Sequence, residues 1–529
     1  MQLRLMFKYF FFSLLLVSSI PAIQAQSDKS SKRVATYRNP VIKGDIADPS
    51  VIRVGDTYYA TGTSSEWAPH YPIFQSKDLV NWEQAGYVFP TTPEWMLSSF
   101  WAPELYYHNN TFFVYYTVKR KSDGKSCIGV ASTKDIKKGF TDHGIVVEHG
   151  SESIDAFIVN DNGQLYISWK AYGLDKRPIE ILGSKLSADG LKLQGQPFTM
   201  LKENPDEKGI EGQCLVKKNG YYYMLYSAGA CCGRGCSYNV RIARAKSISE
   251  PFVRYEKNPL LDKDEQWMCP GHGTLVETVD KRTFYLYHAY NAYDHVYTGR
   301  QAMIDELVWD EATGWPSFKH GTSPSIQASM PFSNTSQQKS YELSDTFEGA
   351  SLSSYWQWNF RSCSPVAKLE KGNLSLSGKI SSANQTGTAI TIRPVKGNYE
   401  ISTEVVNQNS STKGLVLYGD SSQAVGIGVK GDKLEVWEVK NNERKVLQAE
   451  PIQSQSPVQL KMSVENGFMC RFFWSADGKK WNEIKLPGSV STFYDGSFLP
   501  QWDRSPRAGL IQYGEENQPA SFSYFTIKY

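Results

Sequence analysis

Over the first three hundred residues, apolar and polar positions repeat one design: a short apolar strand, a polar turn, and a second strand rich in aromatics. Val51-Ile52-Arg53-Val54 leads through Gly55-Asp56 into Thr57-Tyr58-Tyr59. The design returns at Leu105-Tyr106-Tyr107 with Phe112 to Tyr116, and at Phe157-Ile158-Val159 with Leu165 to Trp169. It returns again at Leu215-Val216 with Tyr221 to Tyr226, and at Thr274-Leu275-Val276 with Phe284 to Tyr287. The intervening turns His108-Asn109-Asn110, Asn162-Gly163 and Asn219-Gly220 supply residues that tolerate the positive φ of tight hairpins. Aligned on Tyr59, Phe113, Tyr166, Tyr223 and Tyr285, the repeats are spaced by 54, 53, 57 and 62 residues. A period of that length holds about four strands, and units that each open on a hairpin are built to stack radially. The pattern predicts a five-bladed β-propeller over residues 37–320.

Beyond it, residues 321–339 are rich in Ser, Gln and Thr and read as a linker. Residues 340–529 resume strand alternation, as at Tyr399, Ile401, Thr403 and Val405 and again at Val425, Ile427 and Val429. Asp477-Gly478 marks a further hairpin between Phe473 and Trp481. With almost no helical periodicity, this half predicts a jelly-roll-like β-sandwich, so the fold class is all-β. Residues 1–25 read as a signal peptide: Arg4 and Lys8, an apolar run from Phe10 to Ile20, and Ala25 at the cleavage point. Residues 26–36 read as a flexible leader. The apolar run is too short for a good membrane span, so an exported protein, periplasmic or secreted, without a span in the mature chain is expected.

The heads of the five repeats carry the chemistry. Asp48, Glu104, Asp155, Glu211 and His272 precede their aligned aromatics by nine to thirteen residues. The first strand of a propeller blade lines the central channel, so these positions are expected to converge on one mouth. Carboxylates crowded into one cavity are costly to folding, which points to function. Two carboxyl groups flanking a bond, one ionised and one protonated, are what glycoside hydrolysis needs. A third raises the proton donor's pKa by like-charge repulsion.

Composition adds less. The net charge of +3 falls to +1 once Arg4 and Lys8 leave with the signal segment, and no basic stripe favours nucleic acid. Aromatic residues make up 13%; sugar C–H faces pack on such rings, though β-rich chains carry many in any case. Of eight cysteines, Cys231, Cys232 and Cys236 share a glycine-rich loop that lacks zinc-ligand spacing. A local disulfide or a rigid loop walling the channel mouth is expected there, with the connectivity open.

Asp48-Pro49-Ser50-Val51, Trp101-Ala102-Pro103-Glu104, Ile154-Asp155-Ala156-Phe157 and Glu211-Gly212 together resemble glycoside hydrolase family 43. Asp345-Thr346-Phe347, Trp356-Gln357-Trp358-Asn359 and the Phe473–Trp481 hairpin are similar to the sandwich that accompanies its β-xylosidases and α-L-arabinofuranosidases. The resemblance implies Asp48 as general base, Asp155 as pKa modulator and orienter, and Glu211 as general acid of a single-step inverting hydrolysis. It implies Trp101 and Arg300 at the sugar and His272 at a calcium ion whose other ligands are largely waters. A histidine hydrogen-bonded in the channel without metal is the alternative for His272, since calcium prefers oxygen. Pro103-Glu104 departs from the Pro-Asp of many members, and Tyr238 is a further, weaker candidate for substrate contact. The expected activity removes arabinofuranosyl or xylosyl residues from plant cell-wall oligo- or polysaccharides, exo-acting. Alternatives are an endo-arabinanase, a galactose-directed hydrolase, or a non-catalytic carbohydrate-binding propeller, which would not need three acidic heads. A retaining fructan hydrolase would open with Asn-Asp-Pro-Asn where this chain has Ala47-Asp48-Pro49-Ser50. Sugar, linkage and oligomeric state stay open.

Overall fold

Hairpins set the architecture. Asn109 and Asn110 take φ of 48° and 56°, Asn162-Gly163 50° and 93°, and Asn219-Gly220 50° and 77°. These are the paired left-handed residues that let a two-residue loop follow the strand twist. Our computed structural model describes residues 35–172, 178–333, 337–452, 457–487 and 493–529. The expected signal peptide and nearly all of the leader lie outside the described residues.

Five antiparallel units follow one another. Blade I comprises Ser50–Val54, Thr57–Thr61, His70–Ser76 and Glu83–Phe89, and blade II Met96–His108, Thr111–Arg120, Ser126–Thr133 and Thr141–Val147. Blade III comprises Glu152–Asp161, Gln164–Tyr172, Glu180–Leu186 and Leu193–Lys202. Blade IV holds Glu211–Lys218, Tyr221–Ala228, Asn239–Ala245 and Val253–Arg254, and blade V Trp267–Glu277, Thr283–Asn291, Arg300–Trp309 and Pro316–Phe318. Blades II and III join into one eight-stranded sheet through a single parallel pairing, Glu152 with Ser126. Aromatic faces are buried between blades, as where Tyr71, Phe89, Phe100 and Tyr116 pack together. Each such side chain contributes about 1.5–3 kcal/mol by leaving water.

Blade V is complete within its own segment. The N-terminal strand Thr36–Arg38 pairs instead with Gln327–Ser329, so the stretch read as linker contains a strand that fastens the start of the propeller to its end. The second domain is a sandwich. A nine-stranded sheet around Tyr399–Val405, Val458–Glu465 and Ala520–Lys528 faces a six-stranded sheet around Thr412–Asp420 and Arg507–Tyr513. Ile401, Leu460 and Phe525 meet Leu415, Ile427 and Leu510 in its core. The domains are stitched by a strand pairing of Trp67–Ala68 with Trp358–Asn359 and by Arg507, whose guanidinium lies 4.1 Å from the centre of the Trp67 ring.

The innermost strands share a device that alternation alone does not show. Each blade has a left-handed residue at its head: Asp48 (φ 52°), Ala102 (40°), Asp155 (60°), Gly212 (61°) and His272 (40°); the first strands of blades II and V hold a second, Ser99 (62°) and Cys269 (53°). In blades II to V the head residue lies in a bulge of the strand pairing, and bulges re-aim side chains beside active sites. The left-handed backbone turns its amide toward the preceding blade. There Thr63 Oγ1 accepts from Ala102 N (2.8 Å), Thr117 Oγ1 from Asp155 N (3.1 Å) and Ser227 Oγ from His272 N (2.8 Å). His288 Nδ1 accepts from Asp48 N (3.0 Å) and so closes the ring from blade V to blade I. At the remaining junction the corresponding residue is Lys170, paired across its hairpin with Ile154.

Candidate active site

This ring brings Asp48, Asp155, Glu211 and His272 to one mouth. It corrects the expectation for Glu104. The topological equivalent of Asp48 in blade II is Ala102, and Glu104 sits two residues further along the channel, where its Oε2 accepts from Thr274 Oγ1 at 3.3 Å. Burial pushes its carboxyl up to about 8, against the hydrogen bonds of Ser50 and Thr274, so Glu104 is neutral at pH 7 and stands apart from the other three.

Asp48 is 8% exposed. Its Oδ2 accepts from Thr63 Oγ1 at 2.5 Å and its Oδ1 from Arg300 Nη1 at 3.2 Å. Burial opposes ionisation, but Arg300 above all, with His272 and the Thr63 hydrogen bond, outweighs it and holds this carboxyl well below the usual carboxylate range. His288 takes the Asp48 amide proton on Nδ1, and burial drives its own pKa down. That imidazole is therefore neutral, and we assign the main counter-charge to Arg300.

Asp155 receives the Gly212 amide on Oδ2 at 3.1 Å, and Gln213 Nε2 donates to its backbone carbonyl at 2.6 Å. Burial first, and then repulsion from Glu211 and Asp48, raise its carboxyl to about 6 against the pull of His272 and Lys170. Glu211 and Lys170 form an ion pair at 2.5 Å, with side chains 13% and 12% exposed. His272 Nδ1 stands 3.4 Å from Asp48 Oδ1 and 3.8 Å from Asp155 Oδ2. Gly212 is required beside it, because a Cβ there would lie 2.7 Å from His272 Cγ.

The sandwich reaches the same mouth. Arg300 Nη2 donates to the Asp503 carbonyl at 3.0 Å, Ser65 Oγ to Asp503 Oδ2 at 3.2 Å, and Ser505 N to Asp45 Oδ2 at 2.9 Å. Trp502, 59% exposed, stands edge-on to Trp101 at 6.1 Å between ring centroids. On the other side, Gly233 of the cysteine loop approaches the Trp502 backbone, and Arg234 Nη2 donates to the Ser497 carbonyl at 2.9 Å. Within and beside that loop, disulfides join Cys231 to Cys232 and Cys236 to Cys269. Tyr238 is buried, its ring stacked 5.8 Å from His288, and burial together with the nearby Glu211, Asp155 and Asp48 pushes its hydroxyl well above the usual tyrosine pKa.

Thr63, His288 and Lys170 escaped the reading of the sequence, although a signal was present. Thr63, Thr117, Lys170 and Ser227 each follow their aligned aromatic by four residues, and His288 by three. Trp502 and Asp503 gave no local signal, since only the folded sandwich carries them to the propeller.

An ionised carboxylate clamped by arginine, near two further carboxyls of which one is raised toward neutrality, supplies the groups that acid–base hydrolysis of an uncharged bond uses. The chain is a member of the glycosyl hydrolases family 43, whose model matches residues 37–316; residues 344–528 match the beta xylosidase C-terminal Concanavalin A-like domain. It is 29% identical over 305 residues to an extracellular exo-α-(1→5)-L-arabinofuranosidase of Cellvibrio japonicus, covering 51% of this chain and 86% of that one. It is 28% identical over 352 residues to a β-xylosidase of Bacillus subtilis, covering 60% and 64%. The family 43 protein BlXynB of Bacillus licheniformis shares the fold over 93% of this chain and 99% of its own, with a TM-score of 0.79 at 23% identity. Among the described residues no helix is long and apolar enough to cross a membrane.

Proposed function

We propose that the protein is an inverting, exo-acting glycosidase that removes α-L-arabinofuranosyl or β-xylosyl units from plant cell-wall glycans, with Asp48 as base, Glu211 as acid and Asp155 as modulator. The observation that carries the reading is an ionised carboxylate set beside a carboxyl raised toward neutrality at one mouth, and the acid role of Glu211 is taken from the resemblance of Glu211-Gly212 to the family's motif. Asp48 is held ionised by Arg300, while Asp155, tied to Gly212, is raised to about 6 beside Glu211. In this reading Asp48 takes a proton from water as the water oxygen bonds to the anomeric carbon. Glu211 gives its proton to the leaving oxygen, and the bond between that oxygen and the anomeric carbon breaks. Trp101 packs on the sugar, and Arg300 holds the base in place.

Exo action is supported by the sandwich segment around Trp502 and Asp503, which covers one side of the mouth and leaves a pocket more readily than an open groove. The names of relatives support both sugars, since arabinofuranosidases and β-xylosidases stand side by side among them. An endo-arabinanase of Bacillus subtilis is also similar, at 27% over 292 residues, and it lends the endo reading its weight. Extracellular action is part of the proposal, in line with relatives named extracellular.

Calcium at His272 finds a poor donor set. The imidazole offers one nitrogen, Nδ1, to two carboxylates, and among the described residues no three His, Cys, Asp or Glu side chains converge to hold a metal ion. Calcium takes six to eight oxygen ligands. These residues do not fit a calcium shell of their own, and no step here runs through a cation.

Hydrolysis of aryl α-L-arabinofuranoside, aryl β-xyloside and arabinan, with the first-formed anomer followed by proton NMR, tests the proposal. Turnover of an aryl glycoside with release of the inverted anomer is expected. Cleavage of arabinan alone would establish endo action, and a retained anomer would overturn the assignment of Asp48 as base.

A further inference from the structure

At four of the five blade junctions, the residue facing the next blade's left-handed amide is an acceptor: Thr63, Thr117, Ser227 or His288. Blade III places Lys170 there instead, and an ammonium has no lone pair to accept with. Two consequences follow at the same junction. The Gly212 amide, left without a neighbouring acceptor, donates to Asp155 Oδ2 at 3.1 Å. Lys170 Nζ reaches Glu211 Oε2 at 2.5 Å, in surroundings where both side chains are mostly withdrawn from water. Two residues away on the same strand, Ser168 Oγ lies 3.3 Å from Gln213 Nε2, which also donates to the Asp155 carbonyl. Ser168 and Lys170 thus meet Gln213 and Glu211 rung by rung, and the acid-bearing strand is registered against the Asp155 hairpin.

A surface ion pair contributes little, whereas a desolvated, charge-assisted contact is short, strong and directional. Placing one at the junction that departs from the ring's pattern hands the Gly212 amide to Asp155 instead of to a framework acceptor, so the position serves something other than the framework. We propose that Lys170 is a positioning residue for the proton donor: its ammonium fixes one oxygen of Glu211, leaves the other to meet the leaving group, and holds the carboxylate that remains after the proton has gone. The inference rests on the reading of Glu211 as the acid. During the step Glu211 passes from neutral to −1 while its proton moves to the departing oxygen, which also takes the electron pair of the breaking bond. Lys170 is placed where that negative charge appears, as preorganised electrostatic catalysis requires.

Lys170→Thr tests this directly, because threonine restores what the other junctions have and offers the Gly212 amide an acceptor. The readout is kcat/KM on arabinobiose or xylobiose, whichever is cleaved, against the 4-nitrophenyl glycoside of the same sugar. A disaccharide needs its leaving oxygen protonated, and a nitrophenolate hardly does. Lys170→Thr is expected to lose roughly ten- to hundred-fold on the disaccharide, the worth of a charge-assisted hydrogen bond. On the aryl glycoside it should change by less than about three-fold, with Lys170→Arg recovering most of the disaccharide activity. Lys170→Gln, neutral but longer, should shift the ratio the same way and serves if the threonine variant does not fold. An unchanged ratio of the two substrates in a folded Lys170→Thr or Lys170→Gln protein overturns the inference. Glu211→Ala, run in parallel, separates the two claims: if it too leaves the ratio unchanged, the acid assignment itself has failed.

Discussion

Four blade junctions and one differ, and the difference separates scaffold from chemistry. Between blades I and II, II and III, IV and V, and V and I, a hydroxyl or a neutral imidazole satisfies a buried amide. Between III and IV the amide is satisfied by Asp155 and the lysine by Glu211. An unpaired buried amide is expensive, so folding is enough to account for an acceptor at each regular junction. The irregular one links a carboxyl raised toward neutrality to the carboxyl read as proton donor. Two of the regular junctions are also drawn into the site, because Thr63 donates to Asp48 while accepting from Ala102, and His288 accepts the Asp48 amide. Repetition supplies the positions, and the departure from it falls at the carboxyl proposed as proton donor.

The comparison can be broken most severely at Asp48. Asp48→Asn removes the proposed base while keeping the shape, and kcat on every cleavable substrate should fall by about 10³-fold or more. Steady-state assays on an aryl glycoside will show it. Next comes a regular junction. Thr117→Val, nearly the same volume, leaves the Asp155 amide without its acceptor and should cost about 1–3 kcal/mol in urea unfolding. Lys170→Thr should cost less stability than that and more disaccharide activity, and the reverse order would mean the two junctions do not differ in kind.

A smaller effect is expected at the contact of the domains. Trp502→Ala removes the ring set against Trp101, and the KM for short substrates should rise a few-fold, in keeping with about 0.5–1.5 kcal/mol for an aromatic pair. A further effect, read in stability across pH and not in activity, concerns Glu104. Its folded pKa of about 8 lies above its ordinary 4.5. Its contribution to stability is therefore fully present below pH 4.5 and fades as pH rises toward and through 8. Glu104→Gln, neutral throughout, should gain melting temperature relative to wild type between pH 5 and pH 8.5, and a constant difference would contradict the assignment.

Much of this was legible along the chain. Turn residues such as Asn162-Gly163 and the spacing of Tyr59, Phe113 and Tyr166 revealed the blades, because hairpin geometry is local and recurs. Asp48, Asp155 and Glu211 stood out for the same reason. Glu104 was misaligned because acidic character was matched in preference to spacing: counted at eleven residues before the aromatic, blade II offers Ala102. The bulges could not be read, since a one-residue insertion leaves the alternation intact on both sides. Trp502 and Asp503 were invisible for a different reason, as they approach Trp101 and Arg300 only through the packing of a domain roughly two to four hundred residues along the chain.

The most direct test of the central claim compares arabinan or xylobiose with the matching 4-nitrophenyl glycoside in wild type, Glu211→Ala and Asp48→Asn. If Glu211 is the acid and Asp48 the base, Glu211→Ala loses the natural substrate by far more than the aryl one, while Asp48→Asn loses both alike. Equal loss of both substrates in Glu211→Ala, or substantial turnover of either in Asp48→Asn, would contradict the account.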